Sequence, residues 1–279
     1  MHHFVIYHKS CPDGFGAALA LKVFLDREHP NDVTEFHAAN HGEPVPDIDG
    51  KTVYIVDFAY NRETTIDINN RAESLIVLDH HKSAEGALAN LDYCTFDMSR
   101  SGAMIAWQHF NPKLPVPLLI KYIQDKDLWT WALPQSKEFS AGLSLFALHF
   151  DIWMPLLDDT KISDVIEGGK TILAYEQKLV KRAIGRGIRM VTVAGYQVPM
   201  LNTTILASEI GNELAIGHPF AVTYFDTADK RIFSLRSAKD GVDVSEIAKR
   251  FTGGGGHFHA SGFAIALDQL PTGDLLNPS

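Results

Sequence analysis

The chain has 279 residues, a net charge of −9, 46% hydrophobic residues and 21% charged residues. This length favours two domains over one, and the composition is that of a soluble globular protein. No stretch approaches about 18 uncharged apolar residues, so we expect no transmembrane helix, no membrane association and no secretory leader. The negative charge argues against binding of long duplex nucleic acid on a wide basic surface, but it allows a small phosphorylated substrate if bound metal ions supply positive charge.

Residues 1–130 alternate strand-like and helix-like segments, the pattern of an α/β domain with a doubly wound, mostly parallel sheet. The strands are predicted at residues 4–7, 34–38, 53–56 and 75–78. The helices are predicted at residues 17–25, 62–72 and 118–124, with a further helix beginning near Ser101. The runs at 53–56 and 75–78 are continuously apolar, which is typical of strands buried on both faces.

The remainder of the chain is predicted to form a helical connector at residues 131–185 and a smaller α+β domain at residues 186–279. Strands of that domain are expected at 190–193, 220–224, 232–236 and 263–267, with a helix at 245–250. Apolar faces of the connector helices would permit a homodimer, or they would pack the two domains together. The two cysteines, Cys11 and Cys94, are too few for a disulfide framework, which indicates a reducing cytoplasm.

Side chains that bind metals follow three of the predicted strands. They are His8, Cys11 and Asp13 after the first, Asp57 after the next, and Asp79, His80 and His81 after the last. A single aspartate in such a position is commonly a turn or cap residue. The carboxyl ends of parallel strands are, however, where ligands bind, and carboxylate with imidazole suits hard or borderline ions such as Mn²⁺. Asp57 is the candidate to bridge two ions, an arrangement that favours phosphoryl transfer to water.

These motifs resemble those of the DHH phosphoesterase family. The resemblance is carried by HKSCPDGFGAA at 8–18, by Asp57 after a strand, and by LDHH at 78–81. The segment GGGGHFHASG at 253–262 is similar to the glycine-rich motif of the C-terminal domain associated with this family. The resemblance implies two Mn²⁺ ions in a cleft between two domains, and hydrolysis of phosphodiester or phosphoanhydride bonds.

The resemblance also implies roles for individual residues. His8 and Asp57 would bind the first ion, and the second would be bound by Asp57 together with Asp13, His80 and a later aspartate. His81 would face the substrate phosphate, with Asp79 supporting the histidine pair. Two residues compete for the later position, Asp125 and Asp127. The Asp-Leu-Trp context favours Asp127, whereas the alternative interpretation makes both of them ordinary helix-end acids.

Cys11 departs from the family pattern, which has an aspartate at this position. A thiolate ligand would shift the preference of the first metal position toward softer ions such as Zn²⁺ or Fe²⁺. A protonated thiol would leave that ion to His8, Asp57 and water, and a third reading makes Cys11 a small packing residue. We therefore expect one metal position to be weaker than the other, or differently selective.

The predicted substrate-binding residues of the second domain are in or near the glycine run. They are Gly254, Gly255, Gly256, His257 and Arg236, to which His81 is added from the first domain. Consecutive glycines let backbone amides approach a ligand closely. Arg236 suits a second phosphate contact, but it would equally well be a solvated surface arginine.

The glycine-rich motif implies a short oligonucleotide or small (cyclic) nucleotide as substrate, hydrolysed by metal-activated water. One alternative is a phosphoanhydride hydrolase acting on polyphosphate. Another, suggested by Cys11, is a weakly active nucleotide-binding regulatory protein.

Overall fold

The structure of the protein, a computed structural model, describes residues 1–270 and the strand Leu275–Leu276. The chain forms two compact units, Met1–Leu173 and Ala174–Ser279. The division into 1–130, 131–185 and 186–279 stays a prediction. Within the described residues, no helix combines the length and the apolar character needed to cross a membrane.

The first unit contains a five-stranded sheet in which all neighbouring strands are parallel. Its strands are β1 (His2–His8), β2 (Val33–Ala39), β3 (Thr52–Val56), β4 (Ser74–Asp79) and β5 (Cys94–Phe96). They lie in the order β2-β1-β3-β4-β5. The chain runs outward from β1 in one direction and from β3 in the other, so the switch point of the topology lies between β1 and β3. Ligands of doubly wound folds bind at such a point.

Helices cover both faces of this sheet. The helices α1 (Pro12–Glu28), α2 (Arg62–Arg71) and α4 (Gly102–Phe110) contact its strands. The other helices are α3 (Lys82–Ala87), α5 (Leu118–Asp127), α6 (Ser136–Leu143), α7 (Phe150–Trp153) and α8 (Ile162–Gly187), of which α8 continues into the second unit. Tyr54 and Val56 of β3 pack in the core with α1 and α4, while Val53 and Ile55 pack on the other face, where Ile68 of α2 lies. Because both faces are buried, the strand is apolar throughout, and the predicted doubly wound domain is confirmed.

The second unit contains a seven-stranded mixed sheet. Its strands are β6 (Arg189–Val193), β7 (Tyr196–Asn202), β8 (Ala221–Asp226), β9 (Lys230–Arg236), β10 (Gly255–Gly256), β11 (Ala260–Ala266) and β12 (Leu275–Leu276), in the order β10-β11-β9-β8-β7-β6-β12. Its helices are α9 (Ala207–Ala215) and α10 (Val244–Ala248). This is the predicted α+β architecture.

Several elements differ from the sequence-based prediction. Helix α1 begins at Pro12, five residues before the expected start at residue 17, because Pro12 has the backbone geometry of a first helical residue. Strand β7 was not predicted, since it contains Pro199, and proline is unfavourable inside a sheet. Pro199 lies opposite Met190 of β6, but pairing with β8 begins only at Met200. The proline is tolerated because no N–H group is required of it on the side of β8.

Candidate metal centre

The predicted ligands of the first unit meet where its parallel strands end. His8 is the last residue of β1, Asp57 follows β3 directly, and Asp79 is the last residue of β4. Asp57 has a positive φ of 52°, an uncommon conformation for a residue other than glycine. Its backbone amide donates to the carbonyl of Leu78 on β4 at 3.0 Å, which fixes the turn that carries its carboxylate.

Three carboxylates surround the imidazole of His80. Its Nε2 lies 3.1 Å from Oδ1 of Asp57, 3.5 Å from Oδ2 of Asp13 and 3.6 Å from Oδ2 of Asp127. The side chains of His80, Asp13 and Asp57 are each 2% exposed. Like charges buried this closely repel one another, so the cluster calls for additional positive charge.

A second ligand set lies on the other side of Asp57. Oδ2 of this residue is 3.7 Å from Nδ1 of His8, and the ligand atoms of His8, Cys11 and Asp57 all lie within 4.8 Å of one another. This Oδ2 is buried and accepts no hydrogen bond from any described residue. Buried carboxylate oxygens are normally paired. An orphaned oxygen beside imidazole and sulfur donors therefore fits a bound cation.

The position of Asp13 is set by the N-terminus of α4. The backbone amides of Gly102 and Ala103 donate to its two carboxylate oxygens at 2.6 and 3.0 Å. Ser101, expected as an N-cap, accepts a hydrogen bond from the amide of Met104 at 3.3 Å. Gly102 has a further role, because a Cβ at this position would lie 2.5 Å from Cβ of Asp57. Sequence reasoning missed Gly102, and its only local signal was its place after a capping serine.

Asp79 links the two histidines that follow it. Its Oδ1 accepts from the backbone amide of His80 at 2.8 Å and lies 2.7 Å from Nδ1 of His81. Asp79 is fully buried, so the contact orients the ring of His81. This geometry agrees with a supporting role for Asp79, which stays a prediction.

Asp125 and Asp127 point to different surroundings. Asp125 accepts hydrogen bonds from the Thr130 hydroxyl at 2.5 Å and from the amides of Ala132 and Leu133 at 2.8 and 3.0 Å. Asp125 therefore holds the turn after α5. Asp127, by contrast, reaches His80. The structure brings Asp127 to the ligand cluster, and its role as a ligand stays a prediction.

The electrostatics of the metal-free cluster show competition between burial and charge. Burial would raise the pKa of Asp57, but His8 and His80 outweigh it and hold that pKa below its ordinary range. Burial would lower the pKa of His80, yet its hydrogen bond to Asp57 and the charges of Asp13 and Asp127 raise it to about 10. Burial, followed by the charges of Asp57 and Asp127, raises the pKa of Asp13 well above its ordinary value.

Two further groups at the cluster have raised pKa values. Burial raises the pKa of Asp127 to about 6, with His80 opposing the shift and Asp57 adding to it. Burial and the charges of Asp57 and Asp13 raise the pKa of the Cys11 thiol, which stays protonated in the metal-free protein. A divalent cation would replace the protons that this cluster otherwise retains. Oxygen and nitrogen donors predominate in it, and these residues fit a divalent metal ion.

His41, just after β2, lies beside the candidate metal centre, and sequence reasoning missed it. Its ring lies 6.2 Å from that of His8 and stacks on Phe58 at 4.8 Å. It lines a cavity of about 420 Å³ together with Phe58, Tyr60 and Asn61. The sequence did contain a signal for His41, because this residue follows a predicted strand as His8 does. The apolar pattern of that strand, at residues 34–38, was weak.

The glycine run of the second unit has a structural requirement of its own. A Cβ on Gly254 would lie 2.0 Å from the carbonyl oxygen of Ala248 in α10, so only glycine allows this approach. The backbone amide of His257 donates to the carbonyl of Ala260 at 2.8 Å, closing the turn between β10 and β11. Substrate binding by Gly254, Gly255, Gly256 and His257 stays a prediction.

Arg236 makes hydrogen bonds to other residues of the second unit. Its Nη2 donates to the Ser208 hydroxyl at 2.8 Å and its Nη1 to the Leu235 carbonyl at 2.9 Å. The residue is half-buried, and these two hydrogen bonds show that its guanidinium group is not fully solvated; burial also lowers the pKa of this group. A phosphate contact by Arg236 stays a prediction.

Comparisons with known proteins identify relatives of this chain. The DHHA1 domain family matches residues 187–273. The chain is 31% identical over 283 residues to the uncharacterized protein R106 of Acanthamoeba polyphaga mimivirus, which covers 94% of this chain and 67% of R106. It is 26% identical over 240 residues to oligoribonuclease NrnB of Bacillus subtilis, which covers 76% of this chain but only 59% of NrnB.

A solved structure supports the fold alone. An exopolyphosphatase-related protein from Bacteroides fragilis aligns with a TM-score of 0.54 at 14% identity, over 94% of this chain and 86% of that protein. A doubly wound domain with a carboxylate and histidine cluster at its switch point, followed by a DHHA1 domain, defines a metal-dependent phosphoesterase. The chain belongs to the DHH phosphoesterase family.

Proposed function

We propose that this protein hydrolyses phosphodiester bonds in short oligonucleotides or small nucleotides, using two divalent metal ions. The observation that carries the proposal is the orientation of Asp57. Its Oδ1 faces His80 at 3.1 Å, and its Oδ2 lies toward His8 at 3.7 Å, so one carboxylate is shared by two ligand sets. Two bound ions would activate water and neutralise charge on the phosphoryl oxygens.

The proposed ligands divide around Asp57. His8 and Cys11 complete the first set, and Asp13, His80 and Asp127 complete the second. The oxygen and nitrogen donors of the second set suit Mn²⁺, whereas Cys11 makes the first position differently selective. We assign His81 to a phosphoryl oxygen of the substrate, with its ring oriented by Asp79, whose Oδ1 lies 2.7 Å from Nδ1.

The nucleotide character of the substrate has two supports. The relative NrnB is named as an oligoribonuclease. In addition, the 420 Å³ cavity beside His8 has aromatic walls from Phe58 and Tyr60, and its volume lies within the range of about 300–1,000 Å³ that small-molecule sites occupy. We propose that this cavity accepts a base or sugar flanking the cleaved phosphate, and that the glycine run with His257 and Arg236 binds the rest of the substrate. The homodimer stays a prediction.

A substrate panel with a matched pair of variants tests this proposal. The full chain is incubated with Mn²⁺ and a dinucleotide, a cyclic dinucleotide, adenosine bisphosphate or polyphosphate. Asp57→Asn should reduce turnover at least about 100-fold, because a neutral amide would hold the two ions less tightly, and the ions are what would neutralise charge on the phosphoryl oxygens. Asp67→Asn is the control, since Asp67 is an exposed carboxylate on α2 that pairs with Arg71 at 2.9 Å.

Each competing function has its own result in this experiment. Turnover of polyphosphate alone would establish the phosphoanhydride hydrolase. Nucleotide binding without turnover on any substrate would establish the regulatory protein. Equal turnover by the Asp57 and Asp67 variants would contradict the role of Asp57.

A further inference from the structure

A second group of metal-binding side chains lies at the opposite end of the first sheet. His3 is near the amino end of β1, and His29 and Asp32 lie in the turn between α1 and β2. His8, at the candidate metal centre, is five residues further along β1. At about 3.3 Å per residue the two groups are about 17 Å apart, so they cannot share an ion.

The geometry of this group is that of a compact ligand set. Oδ2 of Asp32 lies 3.1 Å from Nε2 of His3 and 3.2 Å from Nδ1 of His29. The three ligand atoms lie within 4.8 Å of one another. An ion with tetrahedral bonds of about 2.0–2.2 Å separates its ligand atoms by about 3.3–3.6 Å. The two separations from Asp32 would therefore have to widen by only a few tenths of an ångström to admit such an ion.

Contacts outside the group orient each of its members. The side chain of His3 is 2% exposed, and its Nδ1 lies 3.3 Å from the buried hydroxyl of Tyr54, which leaves Nε2 directed at Asp32. The ring of His29 packs edge-on against Phe24 at 5.8 Å. Oδ1 of Asp32 is 2.8 Å from the nitrogen of Met1, so both imidazoles converge on the other oxygen. Partners that orient ligands in this way are typical of metal sites.

The group is accessible from one side. A cavity of about 440 Å³ is lined by His29, Asp32, Lys22 and Asp26, among others. Lys22 is paired with Asp26 at 2.9 Å, which reduces its repulsion of a cation. The buried side of the group is closed by Tyr54. An ion would enter from the cavity, and solvent there would complete its coordination.

We propose that His3, His29 and Asp32 form a binding site for a transition-metal ion of the zinc class, separate from the phosphoesterase centre. Two imidazoles with one carboxylate suit Zn²⁺ better than Mg²⁺ or Ca²⁺, which prefer oxygen ligands alone. A bound ion would tie the first strand to the turn after α1. The site would therefore stabilise the sheet without taking part in catalysis.

Zinc stoichiometry tests the proposal with matched histidine variants. Full-length protein without a histidine tag is stripped of metal, dialysed against Zn²⁺ and analysed for zinc per chain. His29→Gln should bind one zinc fewer than His2→Gln, the control, because His2 is a neighbour on β1 that contacts Glu35 instead. His29→Cys, which supplies another zinc ligand, should retain that zinc. Activity with saturating Mn²⁺ should equal the wild-type value in all three variants.

Thermal unfolding provides a second measurement on the same proteins. Zn²⁺ should raise the midpoint of the wild type and of His2→Gln by more than that of His29→Gln. Equal zinc content in the glutamine variants would overturn the proposal, and so would loss of zinc from His29→Cys. Both readouts are independent of substrate, so a failure of the proposed phosphodiesterase activity leaves this test intact.

Discussion

Replacing Gly102 by alanine would place a methyl group against the aspartate proposed to bridge the two ions. The added Cβ would lie 2.5 Å from Cβ of Asp57 and 2.8 Å from its Oδ1. Ordinary contacts between carbon atoms are about 3.5–4.0 Å, so Asp57 or the start of α4 must move by about 1 Å. The amide of Gly102 also holds Asp13 at 2.6 Å, so either movement disturbs a second proposed ligand.

The magnitude follows from this displacement. A misplacement of about 1 Å at a reacting centre costs up to about 100-fold in rate. Overpacking of a buried site costs about 1–3 kcal/mol in the free energy of unfolding. We therefore predict that Gly102→Ala lowers kcat/KM by about 100-fold and destabilises the protein by a few kcal/mol at most.

The assay is kcat/KM on a dinucleotide with saturating Mn²⁺, alongside urea unfolding. Gly168→Ala is the control, because Gly168 lies within α8 and, apart from its chain neighbours and the backbone of its own helix, no described atom would be within 4 Å of its added Cβ. This exposed helix substitution should stabilise the protein by about 0.5–1 kcal/mol and leave kcat/KM unchanged. A Gly102→Ala protein with wild-type kcat/KM and a wild-type unfolding midpoint would refute the reasoning.

Asp79→Asn removes the charge that orients His81, so kcat/KM should fall by about 10–100-fold while the metal content stays the same. Unchanged kinetics would contradict the role of Asp79. Folding raises the pKa of His80 from 6.5 to about 10. The contribution of this protonated imidazole to the free energy of unfolding is therefore complete below pH 6.5 and is lost as the pH rises toward 10. Urea unfolding of metal-free protein should show this decline, and rising stability over the same window would be inconsistent with it. Mn²⁺ binding at pH 7 should displace a proton from His80, which calorimetry in two buffers of different ionisation enthalpy measures. Cys11→Asp should increase affinity for Mn²⁺ relative to Zn²⁺, and an unchanged ratio would show that Cys11 does not influence metal choice.

Local sequence patterns predicted the strand that is buried equally on both faces of the first sheet. The apolar run of β3 predicted a strand covered on both faces, and helices do cover both faces of its sheet. The same reasoning failed for α9, which begins after Leu206 in a left-handed conformation and, among the described residues, has no side-chain cap. Without a polar capping residue the sequence carried no start signal for this helix.

The sequence by itself determined the donor types and their place at strand ends, because parallel strands deliver their carboxyl ends to one edge. Only the tertiary structure decided which donors meet. Asp125 and Asp127 are the same residue type at the end of the same helix, yet Asp125 holds a turn and Asp127 reaches His80. Likewise, the closeness of Gly102 to Asp57 depends on how α4 packs beside β3, across 45 residues of chain. Such convergence arises from strand order and helix packing, which are long-range properties that no local pattern contains.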